Sequence, residues 1–175
     1  MNYKPLILAS AVLGAVAAVV LIDRKRPHRG STRTNPLAPA YTRQHLHVAA
    51  PPARIWQVLS DLENWPRWQP DIKSVRLRGP LRPGTEFDWQ LGASHIHAVL
   101  HTVTPSAALG WSGWSLGKAA VHNWVLTPQD GGTDVEVAES LDGWLIRLLQ
   151  GTFRRRLDAA TRRWLERLRQ EAEQR

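Results

Sequence analysis

The 175-residue chain has no cysteine, one methionine, two phenylalanines and two tyrosines. Without a thiol there is no disulfide, no thiolate nucleophile and no cysteine-ligated metal. The composition fits a reducing compartment. Nucleotide-binding and hydrolase signatures are also missing: there is no P-loop, dinucleotide fingerprint, G-x-S-x-G or zincin motif. Acidic residues are scarce, with 15 Asp and Glu against 23 Lys and Arg and a formal net charge of +8. That excess is uneven. Residues 1–36 hold six basic residues and one acid, whereas residues 37–175 hold seventeen and fourteen. A folded part so nearly balanced argues against a nucleic-acid partner. What the chain does have is tryptophan, at 56, 65, 68, 89, 111, 114, 124, 144 and 164. Each indole can bury ~150–250 Å², which suits either a dense core or a wide apolar cavity.

Pro5–Ile22, PLILASAVLGAVAAVVLI, carries no charge. As a helix it spans ~27 Å, close to the hydrocarbon thickness of a bilayer. Arg24, Lys25, Arg26 and Arg29 follow at once. Residues 1–28 are therefore expected to be an N-terminal transmembrane helix with a basic flank. The protein is then a single-pass membrane protein with its folded domain on the cytoplasmic side. Two alternatives stay open. Ala15-Val16-Ala17 offers a signal-cleavage site, which would make the domain an exported one, and the segment has the composition of a buried core helix. Residues 29–41, polar with Gly and Pro, read as a linker.

From about residue 42 the patterns become regular. Gln44–Ala49 alternates as a strand. Pro51-Pro52 breaks it, and Pro52 opens a short helix. Six further alternating runs follow, over residues 72–78, 85–91, 95–104, 109–116, 119–127 and 133–141. Short turn sequences separate them, which predicts an antiparallel sheet. Gly143–Gln170 has the apolar stripe of one long amphipathic helix, with Gly151 as a point of bending. The fold class is α+β: a curved antiparallel sheet of about seven strands wrapped around a long C-terminal helix.

VAAPPARIWQVLSDLENWPRWQPDIKSV, Val48–Val75, resembles the opening of the START-like superfamily, also called SRPBCC, in its polyketide cyclase/dehydrase and lipid-transport branch. LRPGTEFDW, VTPSAALGW, AVHNWVLTPQDGGTDVEVAES and the final helix are similar to that family's later landmarks, so the likeness covers about residues 43–172. The resemblance implies a helix-grip fold over residues 42–175, around a hydrophobic ligand cavity. The family's members bind lipids, hormones or polyketides, and some are enzymes. The N-terminal anchor departs from the usual family pattern.

Strand parity picks the lining of such a cavity. Phe87, Trp89 and Leu91 share one face, opposite Glu86, Asp88 and Gln90. Leu109 and Trp111 face inward by the same reasoning. A two-residue turn at Asp130-Gly131 pairs Leu126 with Val135, Trp124 with Val137 and His122 with Glu139, all on the apolar face. The Trp65-Pro66-Arg67-Trp68 connection is expected to turn its indoles inward as a plug, with core filling as the rival reading. The expected ligand-binding set is Trp68, Phe87, Trp89, Leu91, Trp111, His122, Trp124, Leu126, Val137 and Glu139.

An imidazole and a carboxylate on an apolar face must meet each other, a ligand or water. His122 and Glu139 are thus a structural pair, a polar anchor for a greasy ligand, or an acid–base dyad, and they are the catalytic candidates. His45-x-His47 and His95-x-His97 place two imidazoles on one strand face, and His101 joins the second pair if no bulge intervenes. Metal sites need three or four convergent ligands, so no metal and no other cofactor is expected. The expected partner is a hydrophobic small molecule or lipid, besides the membrane. The runner-up function is a polyketide cyclase/dehydratase-type enzyme using the same cavity.

Overall fold

The structure, a computed structural model, describes residues 31–174. The anchor expected over residues 1–28 lies outside them. Among the described residues no helix is long and apolar enough to cross a membrane.

The chain forms β1 (Ala40–Val48), α1 (Pro52–Ser60), a 3-10 turn (Leu62–Asn64) and α2 (Trp65–Trp68). Next come β2 (Ile72–Leu77), β3 (Glu86–Leu91), β4 (Ser94–Thr104), β5 (Ala108–Ser115), β6 (Lys118–Gln129) and β7 (Gly132–Asp142). α3 (Trp144–Leu148) and α4 (Gln150–Glu173) complete the fold. The seven strands make one antiparallel sheet in the order β1-β7-β6-β5-β4-β3-β2. Consecutive strands from β2 to β7 are neighbours, joined by short turns from β3 onward and by the longer connection over residues 78–85 between β2 and β3. β1 closes the order by pairing with β7, for instance Thr42 opposite Glu139.

Local chemistry explains the boundaries. Proline cannot donate to a ladder, so Pro51-Pro52 stops β1, and Pro52 sits at the start of α1 where no donor is needed. Gly131 supplies φ 77° in the turn between β6 and β7, and Gln129 pairs with Gly132. The C-terminal helix is broken at Leu149 (φ −116°, ψ 32°), two residues before the expected bend at Gly151. Exposed Leu148 and Leu149 leave the chain free to redirect there, and α4 then lies across the sheet.

The linker expectation covers residues 29–41, of which 31–41 are described. Ser112 Oγ donates to Ser31 O at 2.8 Å and Asn123 Nδ2 to Thr32 O at 3.2 Å, so this stretch lies on the outer face of the sheet. β1 itself begins at Ala40.

The core lies between sheet and α4. Trp65, at 0% exposure, is its centre and donates Nε1–H to Leu59 O at 3.0 Å. Its ring meets Trp111 at 5.3 Å, Trp164 at 5.5 Å, and Phe87 and Trp89 at 6.3 Å each, mostly edge to face.

Candidate functional site

The faces follow the predicted parity. On β6 and β7, His122 lies opposite Glu139, Trp124 opposite Val137 and Leu126 opposite Val135. Extending the rows sideways explains where solid core ends and space begins. One row runs Leu100, Trp111, His122, Glu139, Thr42 across β4, β5, β6, β7 and β1. It is bulky. The row nearer the start of β6 runs Phe87, Ala98, Gly113, Ala120, Leu141, with three small residues in the middle. Opposite them α4 presents Ala160 and Thr161, which interrupt its stripe of Leu157, Trp164, Leu165 and Leu168.

Gly113 and Ala120 of this row leave a cavity of about 270 Å³ between sheet and helix. This is just under the ~300–1,000 Å³ usual for small-molecule sites, so it accommodates a compact ring system or one end of a longer chain. Trp89, Ile96, Trp111, Leu141, Leu157 and Trp164 give it a mainly apolar wall. The polar lining is Gln69, Asp71, Ser94, Ser115, Lys118, Glu139, Arg156 and Thr161. Arg167 holds one end in place by hydrogen bonds to Gln69 and, at 2.8 Å, Asp71 Oδ2. Lys118 Nζ donates to Ser94 Oγ at 3.0 Å, and burial pulls its ammonium pKa down.

His122 is 1% exposed and stacks flat on Trp111, with ring centroids 4.4 Å apart and planes within 7°. Its Nδ1 lies 2.9 Å from Glu139 Oε2, while its Nε2 is buried without a partner among the described residues. The two members differ in position. Glu139 lines the cavity, and His122 lies behind it in the core. With Nδ1–H donating, the imidazole orients the carboxylate, and the carboxylate is the atom group a guest meets. Trp89 Nε1, Trp164 Nε1 and Thr161 Oγ1 are also buried without a partner, all on residues of the cavity wall.

The ten residues of the expected ligand-binding set divide. Trp89, Leu91, Trp111 and Glu139 line the cavity, with Leu91 at its exposed edge. Phe87, His122, Trp124, Leu126 and Val137 face the same interior but are buried in solid core, where indoles already fill the space. Trp68 does not line the cavity. Trp65 occupies the inward space, and Trp68 lies half-buried in an outer groove with Arg54, Gln57, Val58 and Glu171. Lys118, Arg156, Thr161, Gln69 and Asp71 were not anticipated. The small-residue positions Gly113, Ala119 and Ala120 were the signal that could have found the site.

The other histidines do not converge. His45 and His47 sit on the outer face beside Glu136 and Asp134. His97 Nδ1 meets Asp88 Oδ1 at 2.7 Å and its ring packs on Trp114; that contact, more than Arg78, holds the Asp88 carboxyl below its ordinary range. A bulge between Leu100 and Thr102 does intervene at His101. No cluster of metal-ligating side chains occurs among the described residues.

A curved antiparallel sheet gripping a C-terminal helix over an apolar cavity defines a helix-grip domain. The chain belongs to the polyketide cyclase / dehydrase and lipid transport family, of SRPBCC type, whose family model matches residues 40–173. No curated protein matches it in sequence. Among solved structures it is similar to hypothetical protein jhp0584 from Helicobacter pylori, at TM-score 0.73 and 16% identity, covering 82% of this chain and 97% of that one. The di-domain ARO/CYC StfQ from the steffimycin biosynthetic pathway aligns at TM-score 0.67 and 17% identity, over 77% of this chain and 50% of that one. The Zhui aromatase/cyclase from Streptomyces sp. R1128 aligns at TM-score 0.63 and 14% identity, over 76% and 93%. At these identities the likeness is one of fold.

Proposed function

We propose that this domain binds a hydrophobic small molecule or lipid in its internal cavity while tethered to a membrane by residues 1–28, with the domain on the cytoplasmic side. The observation that carries the reading is a mainly apolar cavity of about 270 Å³ with Glu139, backed by buried His122, in its wall. The apolar wall takes the ligand's body, and Glu139 takes a hydrogen-bond donor at its polar end. Native mass spectrometry of the detergent-extracted chain, with lipid extraction of what co-purifies, tests this. A bound apolar species that is lost on Glu139→Gln supports it. A chain that carries nothing and retains no added apolar probe overturns it.

The second reading is an enzyme of cyclase/dehydratase type using the same pair. The 2.9 Å contact of His122 with Glu139 favours it, since an imidazole that orients a carboxylate at a cavity wall is the arrangement of a general base. Ligand retention that survives Glu139→Gln while turnover disappears selects the enzyme.

A further inference from the structure

Seven large hydrophobic side chains are exposed among the described residues, and five of them gather at one end of the sheet. Leu91 ends β3, Leu116 lies in the turn between β5 and β6, and Trp144, Leu148 and Leu149 belong to α3 and its C-cap. Leu148 is 71% exposed, Leu116 50% and Trp144 40%. The patch is built rather than frayed. Leu145 N donates to Gly117 O at 3.1 Å, and the Trp144 ring lies so close over Gly117 that a Cβ there would meet it at 2.6 Å. The end is also the cavity's mouth, because Leu91, Ser94, Ser115, Lys118, Phe153 and Arg156 line the cavity on that side.

Its charge is mostly positive, against Asp142 and Asp71 on the same side. Gly143–Arg156, GWLIRLLQGTFRRR, carries Arg147, Arg154, Arg155 and Arg156 and no acid. All four arginines are exposed, and among the described residues only Arg147 has a carboxylate partner, Asp142 at 2.9 Å. Aromatic and leucine side chains ringed by arginine match an interface of apolar tails under anionic headgroups. The chain's reach agrees. Eight residues separate Ile22 from Ser31, a span of at most ~30 Å. Ser31 is held to β5 at Ser112, about 14 Å along the strand from Leu116. A domain tethered this closely can bring this end to the lipid surface.

We infer that the end formed by α3 and the turn between β5 and β6 docks on an anionic lipid surface, placing the cavity mouth at the membrane. This rests on the membrane tether of the proposed function and holds whatever the cavity carries. The absence of native cysteine makes the test direct. The full chain carrying Leu148→Cys is labelled with an environment-sensitive fluorophore and reconstituted into vesicles of phosphatidylcholine and phosphatidylglycerol. Asp130→Cys is the control, about 40 Å away at the other end of β6.

Lipid-borne quencher is expected to quench the label at 148 about threefold or more over the label at 130, and less in vesicles of phosphatidylcholine alone. Flotation with the vesicles reads the tether separately from the docking. Equal quenching at the two positions overturns the inference. So does a label at 148 that is shielded from water yet untouched by lipid-borne quencher, since a second copy or another part of the chain then covers the patch. A chain that does not float with anionic vesicles overturns it as well.

Discussion

Removing Glu139 should cost far more stability than removing His122, although both changes delete the same hydrogen bond. The asymmetry comes from burial. The His122 side chain is 2% exposed and that of Glu139 17% exposed. Glu139→Ala leaves both imidazole nitrogens without a partner, because Nε2 already lacks one. A buried donor stranded in this way costs about 1–3 kcal/mol. His122→Phe keeps the ring volume and the flat stack on Trp111, and it leaves Glu139 on the cavity wall with room for water. Its expected cost is about 1 kcal/mol or less, and Glu139→Gln, which keeps an acceptor for Nδ1–H, falls in the same range. Urea unfolding of the full chain in mild detergent measures all three. Glu139→Ala should lower the midpoint by about 1 M at unchanged m. Equal costs for Glu139→Ala and His122→Phe would refute the reasoning, and so would a Glu139→Ala cost below about 0.5 kcal/mol.

Three further outcomes are expected. Burial holds the His101 pKa below its ordinary value of 6.5, so the unfolded chain binds the proton more readily. That contribution to stability is complete above pH 6.5 and is lost as pH falls through the folded value; His101→Gln should flatten the midpoint's dependence on pH between about 7.5 and 5. Gly143 has φ 118°, and a Cβ there would meet Gly117 O at 2.3 Å, so Gly143→Ala should lower Tm by several degrees, for a strain of about 1–3 kcal/mol. Ala120→Leu places a larger side chain in the cavity and should abolish retention of an apolar probe while the urea midpoint stays within about 0.5 M, because that space is empty.

How far the site was legible depended on what parity can reach. The two-residue turn at Asp130-Gly131 set the register of β6 against β7, so the meeting of His122 and Glu139 followed from adjacent sequence alone. The same parity put Phe87, Trp89 and Trp111 inward. Which inward residue meets a guest was a different matter. Phe87 and Trp124 look toward the same interior as Trp111, yet the indoles of Trp65, Trp111, Trp124 and Trp164 occupy that volume. The cavity opens instead over Gly113 and Ala120, facing Ala160 and Thr161 of α4. Trp68 shares a single helical turn with Trp65, and no local pattern separates the one that plugs the core from the one that lies outside it.

By itself, then, the order of residues determined most of the elements, their antiparallel succession and the inward faces of β3, β5, β6 and β7, because proline, glycine and alternation act between near neighbours. It also carried the apolar run at Pro5–Ile22 and its basic flank. Only the tertiary structure decided where the interior is solid and where it is empty. That depends on side chains from five strands and α4, from Trp89 to Trp164, sharing one volume, and no single segment records what the others have already filled.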